Sequence, residues 1–105
     1  MKTSHTAAND WCEVSIAAEA KYGHIHDWDT SRVTSMNNLF CNKRNFNDDL
    51  SNWDVSAVTD MSRMFHRASS YSGDLSNWDM SAVTNIRRMF LYCPIATEHM
   101  PAKCR

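Results

Sequence analysis

The side chains that could do chemistry in this chain recur at fixed intervals or fall into loose clusters. Asp29, Asp54 and Asp79 are evenly spaced, with Asp48, Asp49 and Asp74 in the segments between them. Calcium binding is one reading of such carboxylates, but calcium takes about six to eight oxygens, and these segments carry no regular ligand pattern. The structural reading is that each evenly spaced aspartate accepts backbone amides in a bend near Ser31, Ser56 or Ser81, which offsets the repulsion of stacked like charges. His24 and His26 could join Cys12 or Cys41 around a metal, and Cys93, His99 and Cys104 form a second loose group. Neither has the close spacing of a zinc site. In an oxidising compartment Cys93 and Cys104 could pair as a disulfide that ties down the tail, and Cys12 with Cys41 as another; in a reducing one all four are thiols. No nucleophile elbow, phosphate loop or HExxH motif occurs. The expectation is a protein that is not an enzyme and uses no cofactor or metal.

Two further sets could carry binding. Trp28, Trp53 and Trp78 could form an aromatic ladder for a sugar or peptide, or fill a thin core with bulky rings. The core reading is preferred. Lys43, Arg44, Arg63, Arg67, Arg87 and Arg88 gather on one side of the expected unit. Arg63, Arg67, Arg87 and Arg88 form either a solvated face or a docking strip for an acidic partner.

These residues are placed by an internal repeat. The segment WDTSRVTSMNNLF from Trp28 recurs as WDVSAVTDMSRMF from Trp53 and WDMSAVTNIRRMF from Trp78, a period of 53 − 28 = 78 − 53 = 25 residues. Val33, Val58 and Val83 align, as do Phe40, Phe65 and Phe90, and FNDDLSN from Phe46 matches YSGDLSN from Tyr71. A unit this short cannot bury an apolar face alone, so equivalent positions must stack. Leu50, Trp53 and Val55 suggest a short strand. Val58, Met61, Met64, Phe65 and Ala68 have helix-like spacing behind Thr59 as N-cap. Residues 9–22 read as a capping helix, with Trp11, Val14, Ala18 and Tyr22 on one face.

The expected organisation is a disordered stretch over residues 1–8, one domain over residues 9–92 with repeats starting at 28, 53 and 78, and an irregular cap or truncated end over residues 93–105. The 105 residues suffice for one domain with a thin core. The net charge of −1 argues against a dedicated nucleic-acid binder. Mean hydropathy is −0.53, and no apolar run approaches the roughly 18 residues of a membrane span. The first residues, MKTSHTAAND, lack the apolar stretch of a secretion signal.

The unit W-D-x-S-x-V-T-x-M-x-x-M-F, with F-N-x-D-L-S-x-W behind it, resembles the repeat of the BspA-like leucine-rich-repeat surface-protein family. The resemblance runs from about Trp11 to Tyr92. It implies an α/β fold, a short right-handed leucine-rich-repeat-like solenoid with one short strand and one short helix per unit. It also implies a surface or protein–protein interaction role, and no catalytic residues. Ile86 departs from the usual methionine, and the third copy lacks its second half. The functional expectation is a non-enzymatic module that binds an unidentified protein or glycan; the alternative is a structural or capping segment of a larger array or assembly. If the tryptophans are core, Trp53→Ala should cost about 3–5 kcal/mol of unfolding free energy in a denaturant titration. A loss under about 1 kcal/mol would instead mark an exposed ring.

Overall fold

In the computed structural model, which describes residues 5–105, the repeating part of the chain is built from tight turns. The recurrent Asp-x-Ser tripeptide is the local cause. At Asp29, Asp49, Asp54, Asp60, Asp74 and Asp79 a carboxylate oxygen accepts the amide two residues on, at 2.9–3.0 Å. Asn85 does the same for Arg87, and the Ser35 hydroxyl for Asn37. An amide engaged by a side chain two residues back is withdrawn from helix or ladder bonding, so the chain bends there. Backbone turns then close three residues apart. In the central unit Trp53 donates to Leu50, Val58 to Val55, Met64 to Met61, Ala68 to Phe65 and Tyr71 to Ala68, at 3.0–3.2 Å.

These turns overturn the expected α/β leucine-rich-repeat-like solenoid. Among the described residues there is no strand or sheet, only the isolated parallel bridges Ser35–Asp60 and Asp60–Asn85, and no α-helix lies within the repeats. The helix expected after Thr59 is excluded because Arg63 and Arg67 adopt left-handed φ values of 55° and 60°. Asn38, Asn42, Arg88 and Tyr92 do likewise at the equivalent places. Thr59 caps nothing; its amide and hydroxyl both donate to the Thr34 carbonyl. The misleading signal was the spacing of Met61, Met64, Phe65 and Ala68, because consecutive three-residue turns bring the same side chains inward that a helix would.

Backbone bonds between equivalent positions hold the units together. Met36, Asn38, Phe40 and Asn42 donate to Asp60, Ser62, Met64 and His66; Met61, Arg63, Phe65 and Arg67 donate to Asn85, Arg87, Met89 and Leu91, all at 2.8–3.0 Å. The side chains follow the backbone. Phe40 stacks on Phe65 and Phe65 on Phe90 with ring centroids 5.5 Å apart, and Trp28 stacks on Trp53 at 6.4 Å. Each indole N–H reaches a carbonyl of the preceding segment: Trp28 to Gly23, Trp53 to Ile25 and Trp78 to Leu50. Trp28, Trp53, Trp78, Val33, Val58, Val83, Phe40 and Phe65 are buried, and Phe90 is partly buried.

The two ends are closed differently. The single capping helix expected over residues 9–22 is two helices, α1 (His5–Glu13) and α2 (Ser15–Tyr22), parted at Val14, whose φ of −141° leaves helical geometry. Of the stretch expected to be disordered, residues 5–8 belong to α1, with Ala7 and Ala8 buried against the core; residues 1–4 lie outside the described residues. Trp11 meets Trp28 edge-on at 5.9 Å and donates to Asp48 at 2.8 Å. At the other end, residues 93–105 form two short 3-10 turns. There the Leu75 amide donates to the His99 carbonyl, and Lys103 Nζ donates to the carbonyls of Met80 and Val83. Cys12, Cys41, Cys93 and Cys104 are free in this structure. Cys93 Sγ faces the Tyr71 carbonyl at 3.5 Å and Cys104 Sγ the Met89 sulfur at 3.9 Å.

One core site carries an uncompensated polar group. The Tyr71 hydroxyl is buried without a hydrogen-bond partner among the described residues, and burial raises its pKa above the ordinary phenol value. A Cβ added at Gly73 would lie 2.5 Å from that oxygen. The equivalent pair one unit earlier is Phe46 with Asp48, which has no hydroxyl and does have a side chain. We therefore expect Tyr71→Phe to stabilise the protein by about 1 kcal/mol. Gly73→Ala should destabilise the native chain, and less so once Tyr71 is phenylalanine, since the ring Cζ at 2.9 Å then remains the nearest atom. Urea unfolding of the two single variants and the double variant measures this coupling; strictly additive effects would mean that the hydroxyl does not occupy the space.

Candidate partner-binding surface

The turn segments 37–42, 62–67 and 87–92 set the orientation of the arginines. Left-handed backbone at Arg63, Arg67 and Arg88 breaks the inward run of the turns, and all three side chains lie exposed, as do Arg44 and Arg87. The pKa of His66 is lowered first by desolvation and then by the charges of Arg67, Arg63 and Arg88. Arg87 stands on the same turn but is not among the charges acting on that imidazole. The Arg67 guanidinium lies over the Tyr92 ring at 5.5 Å, and His66 Nδ1 is 3.6 Å from Cys41 Sγ. Arg44, Arg67, Ser69 and Tyr92 line a shallow cleft of about 370 Å³.

No carboxylate neutralises this face. The one ion pair within 4.0 Å among the described residues is His26–Asp27. Asp60, on the same turn segment as Arg63, has Oδ1 accepting the Ser62 amide. Asp29, Asp54 and Asp79 accept the amides of Ser31, Ser56 and Ser81, and two of them also accept the serine hydroxyl at 2.6 Å. Bonds to the serine, hydroxyl first and then amide, hold these carboxyls below the ordinary aspartate range; Asp49 and Asp74 are lowered the same way. Asp54 senses Asp29 and Asp79 as like charges, which identifies the column.

The clusters weighed as metal sites do not assemble. No group of three His, Cys, Asp or Glu side chains converges among the described residues. His24 and His26 bring their rings within 4.1 Å, but His24 Nδ1 faces the His26 amide at 3.3 Å and His26 pairs with Asp27. Cys41 turns to His66, and burial pushes the Cys12 thiol up to about 11. Burial also raises Cys93 and Cys104, which keeps both in the thiol form. No helix among the described residues is long and apolar enough to cross a membrane.

Sequence reasoning missed His66, Ser69 and Tyr92 as members of the surface. The usable signal was register: Asn42, Arg67 and Tyr92 are one period apart, so a guanidinium beside an aromatic ring followed from the alignment alone.

Turns stacked in register on one apolar core, with an exposed charged face made by equivalent positions, define a tandem-repeat protein. Residues 11–99 match the family described as Mycoplasma protein of unknown function, DUF285, and the chain belongs to that family. Neither a curated protein nor a solved structure matches the chain.

The depressed aspartate values carry a pH dependence. A carboxyl whose folded pKa lies below its unfolded value adds stability that is complete above the unfolded pKa. That stability is lost as pH falls through the folded value. The midpoint of thermal unfolding should therefore hold steady above the ordinary aspartate value of 3.8 and fall as the solution is acidified past it. Ser56→Ala, which removes a hydroxyl bonded to Asp54, should shrink that acid-induced fall. Thermal melts from neutral to strongly acid pH measure both.

Proposed function

We propose that this protein is a non-enzymatic interaction module whose arginine face docks an acidic segment of a protein or an anionic glycan. One observation carries the reading: Arg63 and Arg88, one period apart, and Arg67 on the same turn segment as Arg63 are exposed, with no carboxylate within ion-pair distance among the described residues. Guanidinium groups suit carboxylate, sulfate and phosphate recognition because their donors form a planar fork. The adjoining cleft beside Tyr92 adds an aromatic surface that amphipathic partners favour. The repeat motif's resemblance to BspA-like surface proteins supports a role at a surface, although the leucine-rich-repeat architecture that accompanies that name is absent here. Against catalysis stands the use of the recurrent serines and aspartates in turn bonds, which leaves them no activated nucleophile.

Binding of a fluorescent poly-glutamate peptide and of heparin tests the reading. The triple variant Arg63→Glu, Arg67→Glu, Arg88→Glu should bind both at least about tenfold more weakly, and native binding should weaken with added salt. The triple variant Lys21→Glu, Arg32→Glu, Arg105→Glu, which makes the same change in net charge outside the face, serves as the matched charge control. Equal binding by the face variant and the control would remove the arginine face as an interface.

A further inference from the structure

The third unit leaves one backbone edge open. In the first unit the amides of Met36, Asn38, Phe40 and Asn42, and in the second those of Met61, Arg63, Phe65 and Arg67, donate to carbonyls of the following unit. The corresponding amides of Ile86, Arg88, Phe90 and Tyr92 donate to no carbonyl of the described residues. Side-chain burial changes with them. Met36, Met61, Phe40 and Phe65 are fully buried, whereas Ile86 and Phe90 are only partly so, and Leu91 and Tyr92 are 41% and 68% exposed. The tail leaves these four amides free. Its hydrogen bonds to the backbone of the unit run along the other half, from Leu75 to His99 and from Lys103 to Met80 and Val83, and it meets the edge segment at Met89, whose sulfur lies 3.9 Å from Cys104 Sγ.

We propose that the edge over residues 86–92 is a docking site for a segment of another polypeptide that carries the spacing apolar-x-x-apolar-apolar and folds on the edge in the same tight turns as residues 60–66. Such a segment lies parallel to the edge and supplies alternate carbonyls to the four free amides. The two unit–unit junctions already in the protein are the basis for this choice. Each joins the same four donor positions to carbonyls of a segment with that spacing, Met61-Ser-Arg-Met64-Phe65 in one and Ile86-Arg-Arg-Met89-Phe90 in the other. Backbone pairing of an added segment provides affinity, and alternate side-chain pockets provide selection. Here the pockets are the free face of Phe90 and the flank of Ile86. A second folded copy of this chain is the wrong occupant. The open edge offers four donors against one acceptor, the Thr84 carbonyl, so two copies placed edge to edge would oppose N–H with N–H along most of its length. The chain's acceptor edge in the first unit is occupied at α1, where His5 Nε2 sits 2.7 Å from the Asn37 carbonyl.

The probe is a synthetic peptide with the sequence VTDMSRMFHRAS of residues 58–69, titrated into the full chain and followed by fluorescence anisotropy and amide hydrogen exchange. Its basic residues outnumber its acidic ones, so the arginine face does not attract it. Saturable binding is expected, with exchange slowed at least about tenfold at Ile86, Arg88, Phe90 and Tyr92 relative to the free protein. A peptide with two of its three motif apolar positions changed, Met64→Ser and Phe65→Ser, which leaves its charge unaltered, should bind at least about tenfold more weakly. Phe90→Asp in the protein should weaken binding similarly. Because that change also touches Phe65, Ile86→Ser, which removes the apolar flank at the other end of the edge, is the second variant and should weaken binding as well. The proposal is overturned if the four amides are not protected, if the Ser-substituted peptide binds equally well, or if sedimentation shows the protein protecting these amides by pairing with itself.

Discussion

Every unit of this protein depends on backbone amides that donate to carbonyls one unit further along. None of the turns is stable alone, because a three-residue turn makes one hydrogen bond for the conformational freedom it removes. Stacking changes the balance. When Phe40 donates to Met64 and Phe65 to Met89, four amides are satisfied at once and the aromatic rings of successive units come into contact. The same bonds bury Met36, Met61 and Met64. Hydrogen bonding and hydrophobic burial are therefore one event here, repeated at each junction.

That constraint also explains why the charges are sorted. Positions that must turn outward in left-handed geometry are asparagine, arginine or tyrosine: Asn38, Arg63 and Arg88 in one column, Asn42, Arg67 and Tyr92 in the other. A long side chain at such a position points away from the core and reaches solvent. Since the backbone repeats, its cations repeat, and a basic face follows without any partner carboxylate to neutralise it. The aspartates sit at the other bends, where their oxygens are taken by amides. Charge segregation is thus a by-product of turn chemistry that a binding function can use.

The ends show what stacking requires. The first unit needs something on its acceptor side, and α1 provides it with buried Ala7, Ala8 and Trp11 and the His5 contact to Asn37. The last unit is covered over one half by the tail and left with its donors free over the other. An array of this kind has a direction, donors at one end and acceptors at the other, so its two ends cannot be interchangeable.

The sequence by itself determined the period, the register and the identity of the stacked residues, because Trp28, Trp53 and Trp78 and the aligned valines and phenylalanines leave one alignment. It also pointed to amide-binding aspartates at the bends, since Asp-x-Ser is a local signal that needs no tertiary context. Only the tertiary structure decided what lies between the bends. Met61, Met64 and Phe65 turn inward equally well on a helix or on successive tight turns. The choice rests on whether an amide finds its carbonyl four residues back or in the next unit, and no local pattern records that. The grouping of His66 with three arginines and the open edge at residues 86–92 were hidden for the same reason: both exist only once one unit lies against another.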